Sequence, residues 1–108
     1  MIKLDVKYVL HIPLYRNVEG RLKPIEPSSI IDELILNLEE NNVNSFYTQK
    51  IKSYYNSKSF DEMIITIYTS KESEIEDIFT SWCRNNHDIL QQDCYAFEKN
   101  DELYIFEL

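Results

Sequence analysis

The stretch from Lys3 to Tyr15, KLDVKYVLHIPLY, constrains the fold more than any other part of this chain. Leu4, Val6, Tyr8, Leu10, Ile12 and Leu14 occupy every second position. In an extended backbone successive side chains point to opposite faces, so all six lie on one side of a strand; a helix would scatter them around its axis. Such a strand needs an apolar layer over that side. The other side carries Lys3, Asp5, Lys7, Val9, His11 and Tyr15, polar first and more apolar later. Pro13 has no amide hydrogen to donate and marks an edge or a fraying end.

The segments that follow supply the covering layer. RNVEGRLKPIEP is a long connection in which Glu19-Gly20 reads as the tip of a small hairpin. Ser28 or Ser29 is expected to cap a helix, with Asp32 and Glu33 in its first turn, and Ile31, Leu34, Ile35 and Leu38 fall at helical spacing. SFYTQKIKSYY (45–55) and DEMIITIYT (61–69) read as two strands joined through NSKS. Met63, Ile65 and Ile67 alternate with Ile64, Thr66 and Tyr68, and with both sets largely apolar this strand belongs in the middle of a sheet. A second helix begins near Ser70 or Ser73, where Ser73 and Glu76 have capping-box spacing, and buries Ile75, Ile78, Phe79 and Trp82. Residues 92–108 form one strand or a hairpin that turns at EKND.

This order, β-α-β-β-α-β, predicts an α+β ferredoxin-like domain spanning residues 1–108: an antiparallel sheet with two helices on one face, and a possible extra C-terminal strand. The helices leave the opposite face of the sheet open. Because that face holds Val9, Tyr15 and C-terminal aromatics, the expected partner is a second copy, packed as a homodimer through the open face.

Composition excludes several function classes. Gly20 is the only glycine, whereas phosphate-cradling loops need several to bring the backbone close to the ligand, so neither a Walker loop nor a dinucleotide fingerprint exists here. The net charge of −8 opposes binding to a phosphate backbone, so nucleic acid is not the expected partner. Acidic mimicry of nucleic acid, and RNA contacts by the lysines and tyrosines of YTQKIKSYYNSK, are the remaining routes to that class. No apolar run is long enough for a membrane span, and two cysteines fit a reducing, cytoplasmic setting.

SWCRNNHDILQQDCY (81–95) concentrates the ligand-type side chains. Cys83 and His87 share a helical side, yet Cys83 continues the apolar stripe, Cys94 lies past the helix end, and His11 belongs to the other face of the sheet. No second short-spaced pair completes a zinc site, so no metal is expected. A nucleophilic Cys83 would stand near a helix C-terminus, where the dipole raises a thiol pKa, and no catalytic residue is assigned. Helical phase puts Trp82 and Cys83 in the core and gives NNHD the role of stopping the helix. The acidic run Glu72, Glu74, Glu76 and Asp77 reads as a solvated helix start.

HIPLYRNVEG, SFYTQKIKSYY, DEMIITIYT and ILQQDCYAF, in that order, resemble small uncharacterised bacterial and phage proteins with a ferredoxin-like α+β fold. The resemblance implies the fold and no activity. The chain departs from those proteins in lacking a glycine pair and a tryptophan in its middle segment.

Three functional expectations follow. The first is a non-enzymatic cytosolic protein, phage or mobile-element encoded, that works through protein contacts as a dimer and needs no cofactor. The second is a small-molecule-binding or enzymatic dimeric α+β barrel. Its pocket between sheet and helices is lined by Tyr8, Tyr54, Tyr68 and His11, with Arg16, Arg21 and Lys23 as loop contacts. The third is nucleic-acid binding or its mimicry.

Overall fold

The computed structural model describes residues 1–108 and contains one five-stranded antiparallel sheet, one separate hairpin and three helices. Strand β1 (Val6–Pro13) is followed by the hairpin β2 (Tyr15–Val18) and β3 (Arg21–Pro24), then helix α1 (Ser28–Glu40). Strands β4 (Phe46–Tyr55) and β5 (Lys58–Thr69) come next, then α2 (Ser73–Asn85) and the single turn α3 (His87–Leu90). The chain closes with β6 (Tyr95–Lys99) and β7 (Glu102–Phe106).

The sheet order β4-β5-β1-β6-β7 bears out the expected α+β class. Without β7 and the β2–β3 hairpin it is the split βαβ arrangement, with β1 central and antiparallel to both neighbours. The C-terminal segment is therefore a hairpin and not one strand. Its turn is Asn100-Asp101, both at positive φ. Glu19-Gly20 and Asn56-Ser57 likewise form two-residue turns with both φ values positive. That geometry matches the right-handed strand twist and favours glycine or asparagine, one of which stands in each turn. Lys58 and Ser59, read from sequence as turn residues, belong to β5.

Register fixes which side chains meet. Tyr8 faces Ile67, Leu10 faces Ile65 and Ile12 faces Met63 on the helix side, while Leu10 also faces Phe97 of β6. Ile31, Leu34 and Leu38 of α1 and Ile75, Phe79, Trp82 and Cys83 of α2 cover that row, and all are buried. Together they form a core of 18 buried residues. Each fully buried large side chain contributes about 1.5–3 kcal/mol, which makes this layer the main stabilising element. Trp82 also donates its indole Nε1–H to the Ile30 carbonyl at 2.6 Å, tying α2 to α1.

Some local expectations give way. Neither helix receives a side-chain cap: Pro27 and Glu72 precede the first helical residues, and the Ser73–Glu76 capping box does not form. Glu76 instead accepts the Tyr8 hydroxyl at 2.7 Å. Asp32 and Glu33 lie beyond the first turn of α1. NNHD does not simply end α2: the buried Asn86 donates to the Trp82 carbonyl, and His87 opens one more helical turn.

The β4–β5 pair runs past the end of β1, whose last partner is Glu62. The overhang, residues 52–61, gives the molecule its elongated 50 × 27 × 22 Å outline. Beside it the β2–β3 hairpin folds over the sheet end. These two projections create a concavity on the open face.

Candidate functional site

The β1 register also decides what happens on the open face. His11 stands opposite Ile64 of β5 and Ala96 of β6, two side chains that offer its ring no polar partner. The diagonal neighbours do. Glu62, opposite Pro13, and Glu98, opposite Val9, share this face and reach inward from the two ends. His11 Nδ1 lies 3.1 Å from Glu62 Oε2, and Nε2 lies 2.6 Å from Glu98 Oε2. The His11 side chain is only 19% exposed and that of Glu62 20%. A neutral imidazole has a single N–H, so bonding to both carboxylates requires the protonated ring.

The electrostatics agree. The hydrogen bond to Glu62 holds His11 above the ordinary imidazole value; burial works against it, and the bond to Glu98 adds to it. Burial pushes the Glu62 carboxyl up, but hydrogen bonds from His11 and Ser53 outweigh it and bring it down. Ser53 of β4 donates its hydroxyl to Glu62 Oε2 at 2.8 Å. With both nitrogens bonded to carboxylates the ring is an imidazolium, which can give a proton but cannot take one.

His11, Ser53 and Glu62 form part of the floor of a cleft of about 720 Å³. The overhanging strands contribute Tyr55, Lys58 and Phe60, and the β2–β3 hairpin contributes Tyr15, Asn17 and Leu22. Tyr15 and Phe60 pack with ring centroids 5.0 Å apart, joining two walls. The third wall is the α3–β6 connection. There Gln91 adopts a left-handed conformation, φ 46°, and the chain turns back on itself. Gln92 then donates its side-chain amide to the Tyr15 carbonyl at 2.7 Å and the Leu90 carbonyl at 2.8 Å, pinning the hairpin to the body. Burial and the nearby charge of Glu62 hold the Tyr15 hydroxyl protonated.

Between the sheet and α1 there is a cavity of about 660 Å³ lined by Ile31, Ile35, Thr48, Lys50 and Met63. None of the four residues assigned to the expected sheet–helix pocket lines it, and the His11 cleft lies on the other face. Of the four residues assigned to that pocket, the structure brings only His11 to the cleft. Tyr8 is fully buried on the helix side, where its hydroxyl donates to Glu76 and to the Glu72 carbonyl. Burial and the Glu76 hydrogen bond keep it protonated. Tyr54 is 76% exposed on the overhang. Tyr68 shares the open face with His11 but faces Lys7, four register positions away, or about 13 Å along the strand. Arg16, Arg21 and Lys23 lie on the hairpin face turned away from the cleft, because Tyr15, Asn17 and Leu22 occupy the facing one.

The cysteines separate as well. Cys83 is fully buried, and burial pushes its thiol up to about 12, which makes it inert. Cys94 is exposed and lines the cleft. His87 is exposed and pairs through Nδ1 with the buried Tyr95 hydroxyl at 2.8 Å. Glu62, Glu98, Ser53 and Gln92 are functional candidates that the sequence did not reveal. The period-two pattern put His11 on the open face, but only strand register brings the carboxylates to it.

No known protein family and no curated protein sequence matches the chain. Two solved structures match along its whole length. One is a phage SAM lyase in complex with S-methyl-5′-thioadenosine: TM-score 0.60, 10% identity, all of this chain and 93% of the other. The second is a phage SAM lyase in the apo state: TM-score 0.59, 12% identity, all of this chain and 95% of the other. At this identity the likeness establishes a shared fold. It also overturns the expectation of a non-enzymatic protein acting through protein contacts, because these two solved structures, matched end to end, are of an enzyme.

Proposed function

We propose that the chain is an enzyme acting on a small molecule in the open-face cleft, and specifically a lyase that cleaves S-adenosylmethionine and releases S-methyl-5′-thioadenosine. The observation that carries this reading is a half-buried, ionised Glu62 at the floor of an aromatic-walled cleft, within a fold matched over its full length by a phage SAM lyase.

The substrate's chemistry fits these groups. A sulfonium is a cation without hydrogen-bond donors, so it is held by negative charge and by the faces of aromatic rings. Glu62 supplies the charge, and Tyr15, Tyr55 and Phe60 supply rings at the same site. Neither S-adenosylmethionine nor the thioadenosine product carries a phosphate. A single glycine, which rules out the phosphate-binding loops, therefore does not count against an adenosyl ligand. A cytosolic metabolite also suits a chain with two free cysteines.

The same reading retains a homodimer contact on the open face, supported by the exposed side chains of Tyr47, Leu103 and Ile105 there. A monomeric mass at micromolar concentration would refute that contact. The activity itself is tested by incubating the protein with S-adenosylmethionine and measuring S-methyl-5′-thioadenosine. Glu62→Gln, which keeps the shape and removes the charge, is expected to lower the rate at least tenfold.

A further inference from the structure

The His11 cluster has a property that substrate binding alone does not use. On the open face the two carboxylates nearest His11 pair with no lysine or arginine; their only cationic partner is the imidazolium. The charged and titratable groups around it come from five elements. Glu62 faces it from β5 and Glu98 from β6, while Lys58 of β5, Tyr55 of β4, Tyr15 of β2, and Asp93 and Cys94 of the α3–β6 connection line the adjoining cleft. Ser53 of β4, an uncharged donor, also holds Glu62 by a hydrogen bond from its hydroxyl. With His11 protonated the cluster carries a net charge of −1, and with His11 neutral it carries −2.

We propose that the His11 imidazolium is an internal counter-ion for Glu62 and Glu98, and that a cationic ligand entering the cleft takes over this role and expels the His11 proton to solvent. The inference rests on the proposed use of the cleft by an adenosyl cation. Its basis is geometric: one ring bridges both carboxylates, and the ring and Glu62 line the same cavity. A second cation placed against Glu62 disfavours the charged ring by like-charge repulsion and weakens its hold on that carboxylate. The proton leaves from a ring nitrogen, the neutral ring keeps one hydrogen bond, and no other bond is made or broken.

Linkage then fixes the sign of the pH dependence. A ligand that releases a proton binds more tightly as pH rises, by up to about tenfold per unit between the bound-state and free-state His11 pKa values. His11 is therefore a positioning residue that also tunes the cleft for charge: it pairs with and orients both carboxylates in the empty protein and yields to a cation.

Two adenosyl ligands of similar skeleton give a direct test. S-adenosylhomocysteine has a neutral thioether where sinefungin carries a protonated amine. Calorimetry in buffers of different ionisation enthalpy counts the protons released on binding, and NMR follows His11 in a chain with only two histidines. The expected result is a proton released with sinefungin and not with S-adenosylhomocysteine. Sinefungin affinity should rise across pH 6–8 in the wild type and stay level in His11→Gln. The His11 resonance of the wild type reports the same event without a variant, should that variant fold poorly. Sinefungin binding with no proton release and no change at His11 overturns the inference and leaves the proposed function standing. Failure of both ligands to bind overturns both.

Discussion

His11 Nε2 stands 2.6 Å from the Glu98 carboxylate across the β1–β6 pair, while the other ring nitrogen is held by Glu62 of β5. One side chain thus ties the three central strands together on the face that no helix covers. This makes the sheet sensitive to pH in a defined direction. The folded state raises the His11 pKa from 6.5, chiefly through Glu62, so its stabilisation is complete below 6.5 and is lost as pH rises through the raised value. Against the pull of burial, the hydrogen bonds from His11 and Ser53 depress the Glu62 pKa from 4.5. Its stabilisation is present above 4.5 and is lost as pH falls through the depressed value. Urea midpoints measured from pH 3 to 9 should therefore be highest between about 4.5 and 6.5 and decline on both sides. In His11→Gln the alkaline decline should disappear.

The second prediction concerns Trp82. Its indole is fully buried and donates to the Ile30 carbonyl between the two long helices. Trp82→Phe removes that hydrogen bond and part of the packing volume, and is expected to cost about 2–3 kcal/mol in urea unfolding. As the only tryptophan, Trp82 should show blue-shifted emission in the native protein that moves red on unfolding.

A third prediction isolates a turn. Asn100 adopts φ 49°, its side-chain oxygen accepts the Lys7 amide at 2.8 Å, and its own amide donates to the Lys7 carbonyl at 2.8 Å. Asn100→Ala loses the side-chain bond and strains the backbone, and should cost about 1–2 kcal/mol. Asn100→Gly keeps the positive φ without strain, so it should lose less than the alanine variant in the same denaturation series.

The cysteines supply a fourth. Cys94 is exposed and Cys83 is buried, with its thiol pushed up to about 12. A thiol reagent should modify one cysteine per native chain, identified by peptide mapping as Cys94, and both only after denaturation. An adenosyl ligand should slow the native reaction, because Cys94 lines the cleft.

Much of this fold is legible in the sequence because burial writes itself as periodicity. The alternation identified β1 and its buried face from Val6 to Ile12, although Leu4 is exposed outside the strand and Tyr15 begins β2, and the stripe through Phe79 and Trp82 placed Cys83 in the core. The site was less legible. Tyr8 shares a strand with His11 but differs from it in parity, so the two cannot line one pocket. That was readable from period two alone, as was the separation of Arg16, Arg21 and Lys23 from Tyr15. The convergence of Glu62 and Glu98 on His11 was not. It depends on how β5 and β6 register against β1, and the turns that set this register lie tens of residues away. The missing helix caps have a related cause. Glu76, spaced to cap α2 with Ser73, is drawn to the Tyr8 hydroxyl, a long-range partner that no local pattern announces.

The most direct test of the account is the conversion of S-adenosylmethionine, followed by chromatography of the nucleoside products. The account predicts that the wild-type protein forms S-methyl-5′-thioadenosine and that a folded Glu62→Gln variant forms it at least tenfold more slowly. No product above the uncatalysed background from the wild type, with no binding of the thioadenosine, would contradict it.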